Sequence, residues 1–314
     1  MINAEIMNRC RGQPDNKFNR KQQMKEEVSM SITLRPSTLD DAKQCGEICY
    51  SAFRAIAEEH NFPPDFLSPE LAITLLSEFM AHPHIYGVVA ELDGRVVGSN
   101  FVDERSIIAG IGPITVDPSV QNRAIGRELM QHILARVAKQ RLPGVRLVQA
   151  AYHNRSLSLY TKLGFVVREP LSLMQGQPLT VQIPGYIVRP ATVGDLNACN
   201  QVCLRVHGHD RGGELLDAIR RGTATVIEHC GRITGYATAV AFFGHAAGET
   251  NEELKALIGA APSFLSPGFL LPTRNGELFR WCLEHGLRVV QPMTLMSIGL
   301  YNEPKGAFLA SVLY

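Results

Sequence analysis

The chain has 314 residues, 45% of them hydrophobic, and a formal net charge of +1. Its length suits about two ordinary domains, and the near-neutral charge, without blocks of Lys and Arg, excludes a nucleic-acid-binding role. Uncharged stretches such as residues 233–248 are too short to cross a bilayer, and seven cysteines without metal-like spacing predict no metal site and a cytoplasmic protein.

The first 30 residues differ from the rest in composition. They are rich in Asn, Gln and charged residues and lack the apolar core of a signal peptide. We therefore expect a disordered tail over residues 1–30, with Met30 as a candidate for the biological start.

Three apolar, β-branched runs predict strands at residues 96–102, 107–116 and 145–150. The second run leads through a short turn into residues 128–138, whose apolar side chains recur at helical spacing. The first N–H groups of a helix have no intrahelical partner, and the helix dipole favours anions, so this turn predicts a pyrophosphate site. Its residues are Gln121, Asn122, Arg123, Ala124, Ile125, Gly126 and Arg127.

A second motif follows the strand at residues 145–150. It predicts a short helix that begins near His153 and Asn154, continues through Leu159-Tyr160, and is closed by Gly164. The two motifs together resemble the GNAT N-acetyltransferase superfamily, which has a [Q/R]-x-x-G-x-[G/A] turn after its fourth strand and a Leu-Tyr-x-Lys-x-Gly-Phe-like helix after its fifth. The clear resemblance covers residues 32–169.

The resemblance implies an α/β (α+β) fold of two GNAT-like domains. Each would have a mixed, mostly antiparallel central sheet flanked by helices, with splayed fourth and fifth strands in the first domain. It also implies acetyl-CoA as the acyl donor, with its pyrophosphate on the backbone amides of the turn. The pantetheine arm would add as a strand beside Ile114, Thr115 and Val116.

Two departures from the family pattern concern the cofactor site. Ala124 stands where glycine is usual, which bears on cofactor affinity. His153 stands where many relatives have an asparagine that contacts pantetheine, with Asn154 one place later. We assign both to the cofactor site. A simple helix cap is the alternative for Asn154, and a base, a polar contact or an exposed side chain are the alternatives for His153.

Tyr160 occupies the position of the family's general acid. A phenol, with an ordinary pKa of about 10, stays protonated at neutral pH and can donate to the departing thiolate. The alternative is a half-buried packing residue beside Leu159.

The general base is predicted from the charged end of the strand at residues 96–102, where Glu104 is the first candidate and Asp103 the second. Carboxylates at the end of this strand would point towards the splay where the two substrates meet. Such a cluster is also typical of a solvated turn, and water can relay the proton without a dedicated residue.

The acceptor site is predicted between the first two helices, at residues 50–69. Phe53, His60 and Phe62, with a Pro-Pro pair, indicate an aromatic, semi-rigid loop over a pocket for a small amine. The same aromatic residues could instead fill the core under a connecting loop.

A second copy follows in the chain. Arg35-Pro36 recurs as Arg189-Pro190, and the spacing to Asp41 and Asp195 is preserved. We therefore predict a catalytic domain at residues 31–174, a linker at 175–185 and a degenerate GNAT-like domain at 186–314.

A further similarity aligns residues 144–149 with residues 286–291. It predicts that the helix at residues 277–285 replaces the cofactor helix in the second copy, and that the counterpart of the Tyr160 helix is missing. The second domain would then pack on the first and close one wall of the acceptor pocket.

The resulting hypothesis is an N-acetyltransferase in which the amine of a small acceptor attacks acetyl-CoA directly. The alternative is a sensor or interaction module that binds acyl-CoA without turnover. Either would be a monomer or a homodimer.

Overall fold

The computed structural model describes residues 32–265 and 267–313, so the expected tail and the candidate start Met30 lie outside the described residues. The helices of the described residues are α1 Ala42–Glu59, α2 Pro69–Ala81, α3 Ile125–Gln140, α4 Asn154–Lys162, α5 Leu196–His207, α6 Gly212–Arg221, α7 Asn251–Ala260 and α8 Gly276–Glu284. None of these helices is both long enough and apolar enough to cross a membrane.

The strands are β1 Ile32–Pro36, β2 Ile85–Leu92, β3 Arg95–Asp103, β4 Ile108–Ile111, β5 Thr115–Val116, β6 Gly144–Ala150, β7 Val166–Gln175, β8 Tyr186–Pro190, β9 Thr225–His229, β10 Arg232–Ala237, β11 Ala246–Gly248, β12 Phe269–Pro272, β13 Arg288–Gly299 and β14 Ala307–Leu309. They form a nine-stranded sheet in the order β1-β2-β3-β4-β6-β13-β7-β12, with β5 on β3, and a five-stranded sheet in the order β14-β11-β10-β9-β8. Among the described strands, only β4 and β6 pair in parallel. The predicted mixed, mostly antiparallel fold is confirmed.

The two halves of the chain exchange their longest strands. β13 of the second half lies between β6 and β7 of the first, and β7 in turn pairs with β12 of the second half. Each half alone would leave these strand edges without partners, which is unfavourable. The first sheet is therefore completed only when both halves are folded.

The repeated Arg-Pro motif builds the same ion-pair network twice. Arg35 donates to Asp41 at 2.8 and 2.7 Å and to Glu91 on the neighbouring strand at 2.9 Å. Its counterpart Arg189 donates to Asp195 at 2.8 Å and to Glu228 at 2.8 Å. In each case the arginine connects the first strand to the start of the first long helix.

The alignment of residues 286–291 with β6 is wrong. In sheet order β12 takes the place of β6, and α8 is followed by Gly286 just as α4 is followed by Gly164. The helix of the second half that corresponds to α3 is therefore α7, and Cys282 on α8 corresponds to Tyr160. The misalignment arose because a short Gly-x-Arg-x-Val-Gln pattern fits either of two buried strands.

The first half has helices on both faces of its sheet. The apolar side chains of α3, together with Tyr160 and Phe165, pack on one face. Cys45 and Cys49 of α1 pack with α2 on the other face. This arrangement places the starts of α3 and α4 side by side at one end of the sheet.

Candidate active site

The first feature of the site is a gap in the sheet. β4 pairs with β6 from Ile108 to Gly110, and the chain then leaves β6. β5 pairs with Gly98 and Ser99 of β3, and no pairing between β5 and β6 occurs among the described residues. The predicted splay is therefore present, with backbone groups of Thr115 and Val116 at its edge. Such an edge can accept an extended ligand as an added strand.

The turn at residues 121–124 leads into the start of α3. Asn122 and Ala124 have left-handed backbone conformations, with φ of 72° and 63°. The N–H groups of Ala124, Ile125 and Gly126 have no hydrogen-bond partner among the described residues, and no side chain caps the helix. These N–H groups and the helix dipole can therefore bind an anion.

The conformation of Ala124 explains why glycine is usual there. A left-handed conformation costs a non-glycine residue about 1–2 kcal/mol. Ala124 is itself exposed, and so the chain accepts this cost without a clash inside the protein.

A groove of about 480 Å³ lies between the turn and α4. Arg155 on α4 connects the two, donating to the Asn122 side chain at 2.7 Å and to the Gln121 side chain at 3.3 Å. The lining includes three cations and no carboxylate, which favours a phosphorylated ligand. The lining residues are Asn122, Arg127, Asn154, Arg155, Ser158, Leu159 and Lys162.

Tyr160 lies on α4, next in the chain to Leu159, which lines this groove. It is 7% exposed, and its ring meets that of Phe165 edge-on at 6.0 Å. Burial raises the pKa of Tyr160 above its ordinary value. Its hydroxyl has no hydrogen-bond partner among the described residues. The phenol is therefore protonated at neutral pH and available to donate.

His153 and Asn154 begin α4 in different ways. His153 occupies the cap position without a side-chain capping bond, and burial, helped by Arg155 and His60, lowers its pKa. Asn154 is exposed and lines the groove. The described residues give no support to the capping role that was the alternative for Asn154.

The structure does not support Glu104 or Asp103 as the base. Glu104 accepts from Arg136 on α3 at 2.6 and 2.9 Å, and Asp103 is held by Arg105. Both lie at the end of β3, whereas the gap lies beside Gly98 and Ser99 nearer its start. The prediction requires β3 to end at the splay. Because β5 pairs with the earlier part of β3, the splay lies away from Glu104 and Asp103.

The aromatic residues of the predicted acceptor loop gather at the end of β6. The Phe62 ring stacks on Tyr152 with centroids 4.2 Å apart, and the His60 ring lies 5.3 Å from Tyr152. Phe53 instead packs against Phe66, at 6.1 Å, in the core under α1. The aromatic residues are thus divided: Phe53 packs in the core, whereas His60 and Phe62 lie beside Tyr152.

One group of contacts beside the predicted acceptor loop has no local sequence signal. The Gln291 side chain, on β13 of the second half, donates to Asp65 Oδ1 at 3.1 Å. The Tyr152 hydroxyl donates to Gln291 Oε1 at 3.4 Å. The exchange of strands brings these distant residues together, and a motif search within one half could not find them.

The corresponding place in the second half is built differently. β14 lies between β11 and β12, so the chain itself occupies the gap. Thr250 and Glu253 cap the start of α7. The neighbouring cleft, about 540 Å³, has four carboxylates in its lining: Glu169, Glu249, Glu277 and Glu303. Pantetheine and phosphate are both disfavoured there.

Residues 51–165 match the model of the Acetyltransferase (GNAT) family. Residues 51–165 therefore belong to a GNAT acetyltransferase domain. Members of this family transfer an acyl group from an acyl-CoA to an acceptor. The predicted family is therefore confirmed, and acyl transfer is the activity that the family supports.

Solved structures extend the likeness to both halves. A Pyrococcus horikoshii protein described as an acetyltransferase has a TM-score of 0.68 at 18% identity, covering 90% of this chain and 92% of that one. A GCN5-related N-acetyltransferase from Sphaerobacter thermophilus has a TM-score of 0.55 at 15% identity, covering 87% and 96%. A tandem GNAT protein from the clavulanic acid biosynthesis pathway has 0.54 at 13%, covering 86% and 98%. At these identities the likeness is one of fold, and it includes the tandem arrangement. No curated protein sequence matches the chain significantly.

Proposed function

We propose that this protein is an acetyl-CoA-dependent N-acetyltransferase acting on a small amine. The observation that carries the proposal is the open helix start, with the N–H groups of Ala124, Ile125 and Gly126 beside a cationic groove and a gap in the sheet. A diphosphate and an extended amide chain are joined in coenzyme A. The site offers a matching surface for each.

The residues of the first half divide the binding work. The backbone of residues 121–127 and the side chain of Arg127 hold the diphosphate, while Asn154 and Lys162 line the groove beyond it. The edges of β5 and β6 hold the pantetheine arm. His153, at the start of α4, lies where this arm meets the acceptor loop.

Tyr160 acts as the general acid. The amine nitrogen bonds to the thioester carbon, the carbon–sulfur bond breaks, and the Tyr160 hydroxyl gives its proton to sulfur. The phenolate then regains a proton released from the new amide nitrogen, directly or through water. Because burial raises the pKa of Tyr160, the hydroxyl remains protonated until negative charge develops on sulfur.

The proposal is tested by calorimetry with acetyl-CoA and by thiol release in the presence of an amine panel. We expect acetyl-CoA to bind and at least one small primary amine to be acetylated. Binding without transfer to any amine would instead identify a sensor. Absence of binding at millimolar acetyl-CoA would overturn the proposal.

A further inference from the structure

Asp65 lies where the acceptor loop meets the second half of the chain. One carboxylate oxygen accepts from Gln291 at 3.1 Å, and Gln291 is 1% exposed on β13. Asp65 itself is only half-buried, so it retains access to solvent. The carboxylate is therefore fixed on one side and open on the other.

No cation is paired with Asp65 among the described residues. Asp41 and Asp103, by contrast, each bind an arginine at 2.8 Å or less. Burial raises the pKa of Asp65 to about 6, and Gln291 opposes this shift. The titratable groups that interact with it are Tyr152, beyond β6, and Cys49, on α1. A partly desolvated carboxylate without a cation is unfavourable, and a ligand that brings a cation would relieve this.

The position of Asp65 relative to the gap follows from α1. Ser99 on β3 lies 3.5 Å from Thr115 at the edge of the gap, and α1, which carries Cys45, packs against both β3 and β5. Cys49 follows one turn later and is close enough for Asp65 to raise its pKa. Asp65 therefore lies on the α1 face of the sheet, near the strand that would carry the acyl donor.

Aromatic rings lie close to Asp65 and Gln291. Phe62 and Tyr152 are stacked with an interplanar angle of 12°, and His60 lies next to them. Aromatic faces attract cations as well as flat apolar groups. An alkylammonium attached to an aromatic ring satisfies both the carboxylate and the rings.

We propose that Asp65 binds the acceptor as its primary ammonium and removes the proton before attack, and that the acceptor carries an aromatic group held by Tyr152 and Phe62. This inference rests on the proposed function. The proton moves from the ammonium nitrogen to the Asp65 carboxylate, leaving the neutral amine with its lone pair free for the thioester carbon. Gln291 positions Asp65, so the second half contributes to the acceptor site.

Binding is tested first, because it does not require turnover. We expect 2-phenylethylamine, with coenzyme A present, to bind the full chain by saturation-transfer NMR. Asp65→Asn should weaken it by about tenfold or more, in line with the loss of a charged contact. The neutral probe 2-phenylethanol should bind both proteins alike. Glu47→Gln, on the exposed face of α1, is the matched control and should change neither probe. Equal amine binding to the wild type and Asp65→Asn, or no amine binding, would overturn the site.

Kinetics then separate the two proposals. The kcat/KM for 2-phenylethylamine should fall below a pH of about 6, where Asp65 becomes protonated. In Asp65→Asn this acid limb of the pH profile should disappear, and kcat/KM should fall by about 100-fold or more. The Kd for acetyl-CoA should stay the same. Gln291→Leu should move the limb to higher pH, because it removes a hydrogen bond to the charged form.

The outcomes distinguish failure of each idea. Transfer by the wild type with an unchanged limb in Asp65→Asn would reject Asp65 as the base and leave the acetyltransferase standing. Amine binding that depends on Asp65, without transfer by the wild type, would keep the ammonium site and reject the transferase.

Discussion

The groove beside α4 and the cleft beside α8 occupy corresponding places in the two halves, yet their charges are opposite. The groove has Arg127, Arg155 and Lys162 and no carboxylate in its lining. The cleft has four glutamates in its lining, and β14 fills the gap next to it. The helix start is open in the first half and capped by Thr250 and Glu253 in the second.

This difference shows that the fold and the ligand site are separable. The arginine networks of Arg35 and Arg189 are nearly identical, so the scaffold is retained in both halves. Three local features distinguish the second half from the proposed diphosphate site of the first: a capped helix start, a reversal of charge and an inserted strand. The second half instead supplies β13 to the first sheet, and Gln291 on this strand donates to Asp65.

The largest expected contrast is between Tyr160 and its counterpart Cys282. Tyr160→Phe should lower kcat by about 10- to 1,000-fold, because the thiolate then departs without a proton donor. The Kd for acetyl-CoA should be unchanged by calorimetry. Cys282→Ala changes an equally buried residue at the matching place and should leave kcat unaltered. A fully active Tyr160→Phe would assign Tyr160 to packing.

Much of the first half could be predicted because its signals are local. The small-residue turn, the apolar spacing of α3 and the Leu-Tyr pair of α4 each lie within one element. Glu104, which follows the end of β3, shows the limit of such signals. Its sequence context is the same whether the side chain faces the gap or Arg136. Its partner lies on another element, 32 residues later.

The exchange of β7 and β13 between the two halves could not be predicted from the sequence, for a similar reason. Either half read alone predicts a complete GNAT-like sheet, and nothing in the pattern of β13 indicates which neighbour it pairs with. The contact between Asp65 and Gln291, 226 residues apart, depends entirely on that exchange. Pairing between distant strands is decided by the whole fold.

The predicted acceptor loop of the first half and a cluster of buried histidines in the second half should respond differently to acid. In the second half His207, His209 and His245 are buried together, with His207 3.1 Å from His245. Burial lowers the pKa of His209 to about 4. The folded chain therefore binds fewer protons than the unfolded chain, and this contribution to stability is lost as pH falls from 6.5 to about 4.

The expected loss through His209 is about 3 kcal/mol of unfolding free energy. Asp65 acts with the opposite sign, since a raised carboxyl pKa stabilises the folded chain below 3.8 and loses that effect as pH rises through about 6. Urea unfolding at pH 7 and pH 4 should therefore compare the Asp65→Asn variant with the double variant Asp65→Asn/His209→Gln. If both proteins lose the same unfolding free energy between pH 7 and pH 4, His209 is excluded as the acid-sensitive group.

Charge reversal tests the groove against the cleft directly. Arg127→Glu should weaken acetyl-CoA binding by about 10- to 100-fold, because a charged contact to phosphate is replaced by repulsion. Glu277→Lys reverses an exposed charge in the cleft of the second half and should leave the Kd unchanged. Calorimetry at two salt concentrations would also show a shallower salt dependence for Arg127→Glu. If both variants bind acetyl-CoA alike, the ligand is not held by this groove.

The smallest effect concerns Ala124, where the helix start is open but its backbone is strained. With φ at 63°, alanine costs about 1–2 kcal/mol relative to an unstrained residue, while glycine adds about 0.5–1 kcal/mol of unfolded-state entropy. Ala124→Gly should therefore stabilise the chain by up to about 1 kcal/mol in urea unfolding. Ala55→Gly, on an exposed turn of α1, should destabilise it by about 1 kcal/mol. The same substitution would thus change the unfolding free energy in opposite directions at a left-handed and a helical position. If both variants are less stable than the wild type, Ala124 is not strained in solution.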